Sequence, residues 1–237
     1  MKILSSTHAP RIFAAAAALL AAVLSTAHAQ VWTTGEADPV ITNTSSYTSS
    51  ENWNYFGMTS AGSLTIADGG EASFSGLSFG RDVGSEGTLS VTGGTLTVSN
   101  YDVTIGNNGN AIFNLSGGAV TMNIVSAFGI NGVSTMSITG GSLNAPDRVH
   151  VGNYGTASLN ISSGSLQTTL FYIGSTDPNS VGTVSITGGT IETTTHVMGT
   201  MSTVAVGFSG SGTLNINGGQ VTLSNTLNVA SNRGSNG

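Results

Sequence analysis

The segment GTLSVTGG, residues 87–94, returns in altered form as AIFNLSGG, STMSITGG, ASLNISSG, GTVSITGG and GTLNINGG. The first residues of the Gly-Gly pairs, with Ser163-Gly164 as a degenerate copy, are Gly69, Gly93, Gly117, Gly140, Ser163, Gly188 and Gly218; subtraction spaces them at 24, 24, 23, 23, 25 and 30 residues. A period this regular marks stacked supersecondary units that cannot bury their apolar faces alone. Its length fits one coil of three short strands, whereas a propeller blade needs roughly 40 residues.

Within each unit the apolar residues alternate, as in a strand with one buried face. One column holds Leu89, Phe113, Met136, Leu159, Val184 and Leu214, and a second holds Val91, Leu115, Ile138, Ile161, Ile186 and Ile216. Small polar residues separate them and point the other way. After the turn a second strand begins, with Leu96, Val120, Leu143, Leu166, Ile191 and Val221 in equivalent places, and a third is read from DVTIG, RVHVG, FYIG and LNVA. Stacking identical coils buries such columns continuously at about 4.8 Å per coil. Glycines at the corners supply positive φ, a role also expected of Asn107 and Asn153. A helical fold is excluded by the period of two and by 34 glycines. The expectation is therefore an all-β parallel β-helix (β-solenoid), right-handed by the general preference of parallel crossovers, with about seven coils of 23–25 residues behind an N-terminal cap.

Residues 1–29 read as a signal peptide: Lys2 and Arg11 form a basic start, residues 12–24 an apolar run, and Ala27-His28-Ala29 a small-x-small cleavage site. Cleavage before Gln30 leaves three arginines against eleven acidic residues, 3 − 11 = −8. That sign excludes nucleic acid and anionic membrane as partners. The chain has no cysteine, so a continuous hydrogen-bond ladder must take the place of disulfides in an exported protein. Residues 30–61 hold both tryptophans, Trp32 and Trp53, and read either as an aromatic carbohydrate platform or, the favoured reading, as a cap over the first coil. Residues 62–237 form the solenoid, incomplete at its C-terminal end.

GTLSVTGGTLTVSN, GTVSITGGTIETTT and GTLNINGGQVTLSN resemble the repeats of bacterial autotransporter passenger domains and of related Gram-negative surface proteins carrying autotransporter-associated β-strand repeats. The resemblance spans residues 62–231. It implies export to the cell surface or the extracellular space and a β-helical stalk, often adhesive.

Catalytic chemistry on such a scaffold needs clustered acids. Asp102 and Arg148 fall two coils apart, about 9.6 Å, beyond hydrogen-bond reach. Asp147-Arg148 reads as a solvated local pair, and Asp82 with Glu86 is too little for Ca²⁺. His150 falls in the outward row of the third strand, in line with Thr104 and Tyr172, where a lone imidazole is a surface residue; His196 lies in the one long unit, expected to protrude over about residues 193–203. No metal, cofactor or catalytic group is expected. The function read here is a non-enzymatic exported surface protein, a structural stalk or adhesin, with a polysaccharide-active β-helix lyase or hydrolase as the alternative. Its ligand contacts, to glycans or other surface proteins, are expected at Trp32, Trp53, Tyr172 and His196. Leu227 and Val229 still match a third strand, so the last coil presents an open edge for strand addition or continues into a longer repeat protein.

Overall fold

The computed structural model describes residues 40–41, 46–49, 51–195, 203–224, 226–230 and 236–237. Among the described residues every regular element is a strand, and the strands pair in parallel as a β-solenoid of about seven turns. Each turn contributes three strands, and each strand hydrogen-bonds to its counterpart one coil before and one coil after. Glu86–Val91 pairs with Asn110–Leu115, Thr95–Val98 with Ala119–Met122, and Val103–Ile105 with Ser126–Phe128. In the middle of the stack, Val133–Val151 and Thr156–Ile173 each run through a whole coil as one strand, with the register shifting at the corners. The ladder continues through the corners: Gly106 N donates to Phe79 O at 2.9 Å, Gly129 N to Ile105 O at 2.8 Å and Gly152 N to Phe128 O at 2.9 Å.

The alternation places the apolar columns inside, as expected. Val91, Leu115, Ile138, Ile161, Ile186 and Ile216 stand opposite one another in unbroken register, and Ile41 and Ile66 extend the row toward the N-terminus. Five of the six are fully buried, but Ile216 is 51% exposed. It keeps the register and loses the shelter, because among the described residues only the coil of Ile186 lies against it. Phe56, Phe74, Phe79, Phe113, Phe128 and Phe171 fill the wider parts of the interior, with Phe56 stacked on Phe79 at 5.1 Å.

The corners obey a narrower rule than a Gly-Gly pair. Positive φ falls on the second glycine, at 76° in Gly94 and 76° in Gly164, so Ser163 can occupy the first place without strain. A Cβ on Gly94 would meet Gly70 O at 2.1 Å, which closes the position to any side chain. The register also corrects the first interval of the repeat. Ile66 pairs with Val91, so Gly69 is the counterpart of Gly94 rather than of Gly93; the true spacing there is 94 − 69 = 25, and Asp68 stands in the first place with φ 50°. Asn107 and Asn153 do not carry the left-handed conformation expected of them, because Gly106 and Gly152, one residue earlier, adopt φ of 75° and 72°. Residues 196–202 of the long unit lie outside the described residues. Beyond them the register resumes, with Phe171 opposite Val204 and Ile173 opposite Val206.

Candidate functional site

Three faces look outward, and their chemistry differs. Along the first, the outward row is Thr88, Ser90, Asn114, Thr135, Ser137, Ser158, Asn160, Thr183 and Ser185, interrupted only by the half-exposed Ile112. The second carries Thr97, Thr121, Asn144, Gln167 and Glu192. A shallow groove of about 270 Å³ opens over the last three, where Gln167 Nε2 donates to Glu192 Oε2 at 3.2 Å. The third face alone gathers aromatic rings. Its outward row reads Tyr55, Ser78, Thr104, Ala127, His150, Tyr172, Ala205 and Asn228. Trp53, Tyr101, Tyr154 and Phe208 stand in the turns that border it. Both arginines among the described residues, Arg81 and Arg148, border it too.

At the N-terminal end of this face the rings of Trp53 and Tyr55 stack at 6.4 Å, and Tyr101 tilts against Trp53 at 5.9 Å. The Arg81 guanidinium lies over the Tyr55 ring, 4.7 Å from its centre, and touches Asp82 at 3.8 Å. Trp53 precedes one third-face strand and Tyr101 precedes another two coils later. What allows them to meet is Gly76, in the intervening coil: a Cβ there would come within 2.7 Å of Tyr101 Cβ, 2.8 Å of Asn52 O and 3.4 Å of the indole. Tyr101, at 37% exposed, and the Arg81 side chain, at 38%, keep this cluster open to solvent.

Four coils further along, about 19 Å, a second cluster begins. His150, Tyr172 and Phe208 form a ladder of rings with centroids 5.0 and 5.3 Å apart. Between the two clusters Ser78, Thr104 and Ala127 are nearly fully buried, and Thr104 Oγ1 donates to Ser78 Oγ at 2.8 Å. The flank of the second cluster is charged. Arg148 Nε donates to both carboxylate oxygens of Asp147 at 3.3 Å, so Arg148 pairs with its sequence neighbour rather than with Asp102, as the coil spacing requires. Asp102 nevertheless feels both. Burial raises its pKa first and the Asp147 charge adds to the rise, while Arg148 and a hydrogen bond from the Val125 backbone oppose it. His150 lies in line with Thr104 and Tyr172, as the third-strand pattern requires. It is not the plain surface imidazole expected, however. It is half-buried, bonded through Nδ1 to Ser175 Oγ at 2.8 Å, and burial, reinforced by Arg148, pushes its pKa down to about 4. Burial likewise raises Tyr172.

Of the residues singled out as ligand contacts, Trp53 and Tyr172 are brought to the same face, one in each cluster, while Trp32 and His196 lie outside the described residues. Tyr55, Arg81, Tyr101 and Phe208 were not picked out by sequence reasoning. The signal that could have found them is positional: Tyr55 holds the outward place of its strand, and the other three lie in turns flanking third strands. Among the described residues no group of three or more His, Cys, Asp or Glu side chains is placed to hold a metal ion. Comparison with known proteins yields no matching family model, no matching curated protein and no matching solved structure.

Proposed function

We propose that this chain is an exported, non-enzymatic surface protein of Gram-negative bacteria, an autotransporter-passenger-like stalk that adheres to glycans through its third face. The observation that carries the reading is the asymmetry of the surface. Two faces present small hydroxyl and amide side chains, while the rings and both described arginines collect on one. Aromatic rings offer sugars a flat apolar surface at low conformational cost, and a stack of coils repeats the surrounding geometry along its length. The uniform polar faces suit a solvated shaft.

A second reading has a specific observation behind it. Asp102, Asp147, Arg148, His150 and Tyr172 are close enough for their charges to influence one another, and the two carboxyl groups lie in different environments, one partly buried and one ion-paired. Carboxyl pairs held apart in that way serve as acid and base in polysaccharide cleavage.

One experiment separates the two. The full chain, expressed with its leader in a Gram-negative host and recovered from outside the cell, is incubated with soluble polysaccharides while binding and the release of new chain ends are followed together. Binding with unchanged polymer length is expected; shortened polymer would replace the adhesive reading with the enzymatic one. Recovery with Gln30 as the first residue is the expected mark of export.

A further inference from the structure

The two aromatic clusters of the third face are not equivalent in charge. Arg148 has its guanidinium committed to both oxygens of Asp147. Arg81 touches Asp82 only at 3.8 Å, through Nε, and otherwise lies flat over Tyr55 with much of its side chain exposed. A guanidinium held over a ring still turns its edge, with its in-plane N–H groups, toward solvent, and that edge matches a carboxylate in two-pronged geometry. Beside it stand the Trp53 and Tyr101 rings, 5.9 Å apart. This is a flat apolar surface adjoining one available cation, on a chain whose charge is otherwise strongly acidic.

Resting on the reading of the third face as glycan-contacting, we infer that Trp53, Tyr55, Tyr101 and Arg81 form a subsite for a carboxylated sugar, a uronate unit of an acidic glycan, with the sugar ring against Trp53 and Tyr101 and its carboxylate on Arg81. The site is built into the fold rather than collected by chance at its surface. Gly76 clears the space in which Trp53 and Tyr101, two coils apart, come together. Arg81 is fixed at its corner by the backbone alone: its N–H donates to Gly57 O at 2.9 Å, and its carbonyl accepts from Asn108 N at 3.1 Å and Asn108 Nδ2 at 3.0 Å. The side chain therefore carries none of the corner's hydrogen bonds, and replacing it leaves the coil intact. The carboxylate requirement distinguishes this subsite from a neutral sugar platform, for which rings suffice.

The test is calorimetric titration of the full chain with paired oligosaccharides of equal length that differ only in the carboxylate: oligogalacturonate against its neutral galactose counterpart, and cello-oligosaccharide against its glucuronate counterpart. The acidic member of at least one pair is expected to bind roughly tenfold more tightly at low salt, a gap that narrows as salt screens the exposed pair. Arg81→Ala should abolish the gap while keeping the affinity for the neutral member, and Arg81→Lys should retain part of it, since a single ammonium keeps the charge without the fork. Trp53→Ala should weaken both members. Equal affinity within each pair, or a gap that survives Arg81→Ala, overturns the carboxylated-sugar subsite and leaves the glycan-contacting face standing. Binding of neither member to the wild-type chain overturns both.

Discussion

Ile186 and Ile216 hold the same place in adjacent coils, stand directly opposite each other in the ladder and point the same way, yet one is fully buried and the other 51% exposed. The same contrast separates Val206 from its partner Val229, at 4% and 58%. Register decides which way a side chain points; burial is conferred by the coils on either side. An interior coil has shelter above and below, and the last described coil has it on one side only. In a solenoid the hydrophobic effect is thus a property of pairs of coils, and stability is a sum of neighbour terms rather than the property of one compact core.

Charge placed in the column is the severest way to break this contrast. Ile186→Asp puts an ionised group among aliphatic neighbours and should destabilise the chain by roughly 3–5 kcal/mol, whereas Ile216→Asp, half in water already, should cost under about 1 kcal/mol. Chemical denaturation of the two variants checks this, and equal losses would mean that the last coil is as sheltered as the middle ones.

A smaller effect is expected at the corners. Gly94→Ala forces a Cβ to within 2.1 Å of Gly70 O at φ 76° and should cost about 1–3 kcal/mol. Ser163→Ala, at the corner place that has no need of positive φ, should lie within about 0.5 kcal/mol of wild type. Thermal melts of the two proteins make the comparison.

Burial within the stack also sets a pH dependence. His150 titrates near 4 in the folded chain against an ordinary 6.5. Above pH 6.5 the imidazole is neutral in both states and contributes no difference. Between 6.5 and about 4 the unfolded chain takes up the proton more readily, so stability contributed by the neutral imidazole is lost as pH falls through that window. Asp102, with its pKa raised, works in the opposite sense, because its protonation at acid pH relieves a buried charge. His150→Asn should therefore narrow the loss of stability between pH 6.5 and 4, read from denaturation midpoints, and leave the Asp102 contribution in place. A midpoint profile identical to wild type across that window would show that the imidazole is as well solvated folded as unfolded.

The mildest expected change is an improvement. Ser134 stands between Ala111 and Ala157 in an inward row, and its buried hydroxyl finds no hydrogen-bond partner. Ser134→Ala removes the orphan and should raise stability by about 1 kcal/mol, measured as a shift in denaturation midpoint.

The first and second strands were legible in the sequence because the glycine corner fixes the distance to both. Even a degenerate corner, Ser163-Gly164, could be aligned, since only its second residue is stereochemically constrained. The exception at the start of the repeat, where Asp68 takes a glycine's place, shifted the count by one for the same reason. The third face was less legible. The corner leading into it varies in length, so its outward residues recur irregularly: Ser78 to Thr104 is 26 residues, Thr104 to Ala127 is 23 and His150 to Tyr172 is 22 by subtraction. Tyr101, Arg81 and Phe208 lie in turns where no alternation applies. Their convergence follows from stacking and could not be read from any one unit.

The parallel ladder also determines how this molecule would yield under load. Every interstrand hydrogen bond runs from one coil to the next, along the long axis, so tension applied between the two ends of the solenoid reaches those bonds one layer at a time. A coil at the end peels away as a unit while the layers beneath it remain closed. Each event frees 23–25 residues of chain for most units, roughly 80 Å of slack at full extension. Under a steady pull the expected record is a long series of similar, modest steps rather than one abrupt rupture: a tether that lengthens under strain and can wind back coil upon coil when the force is removed.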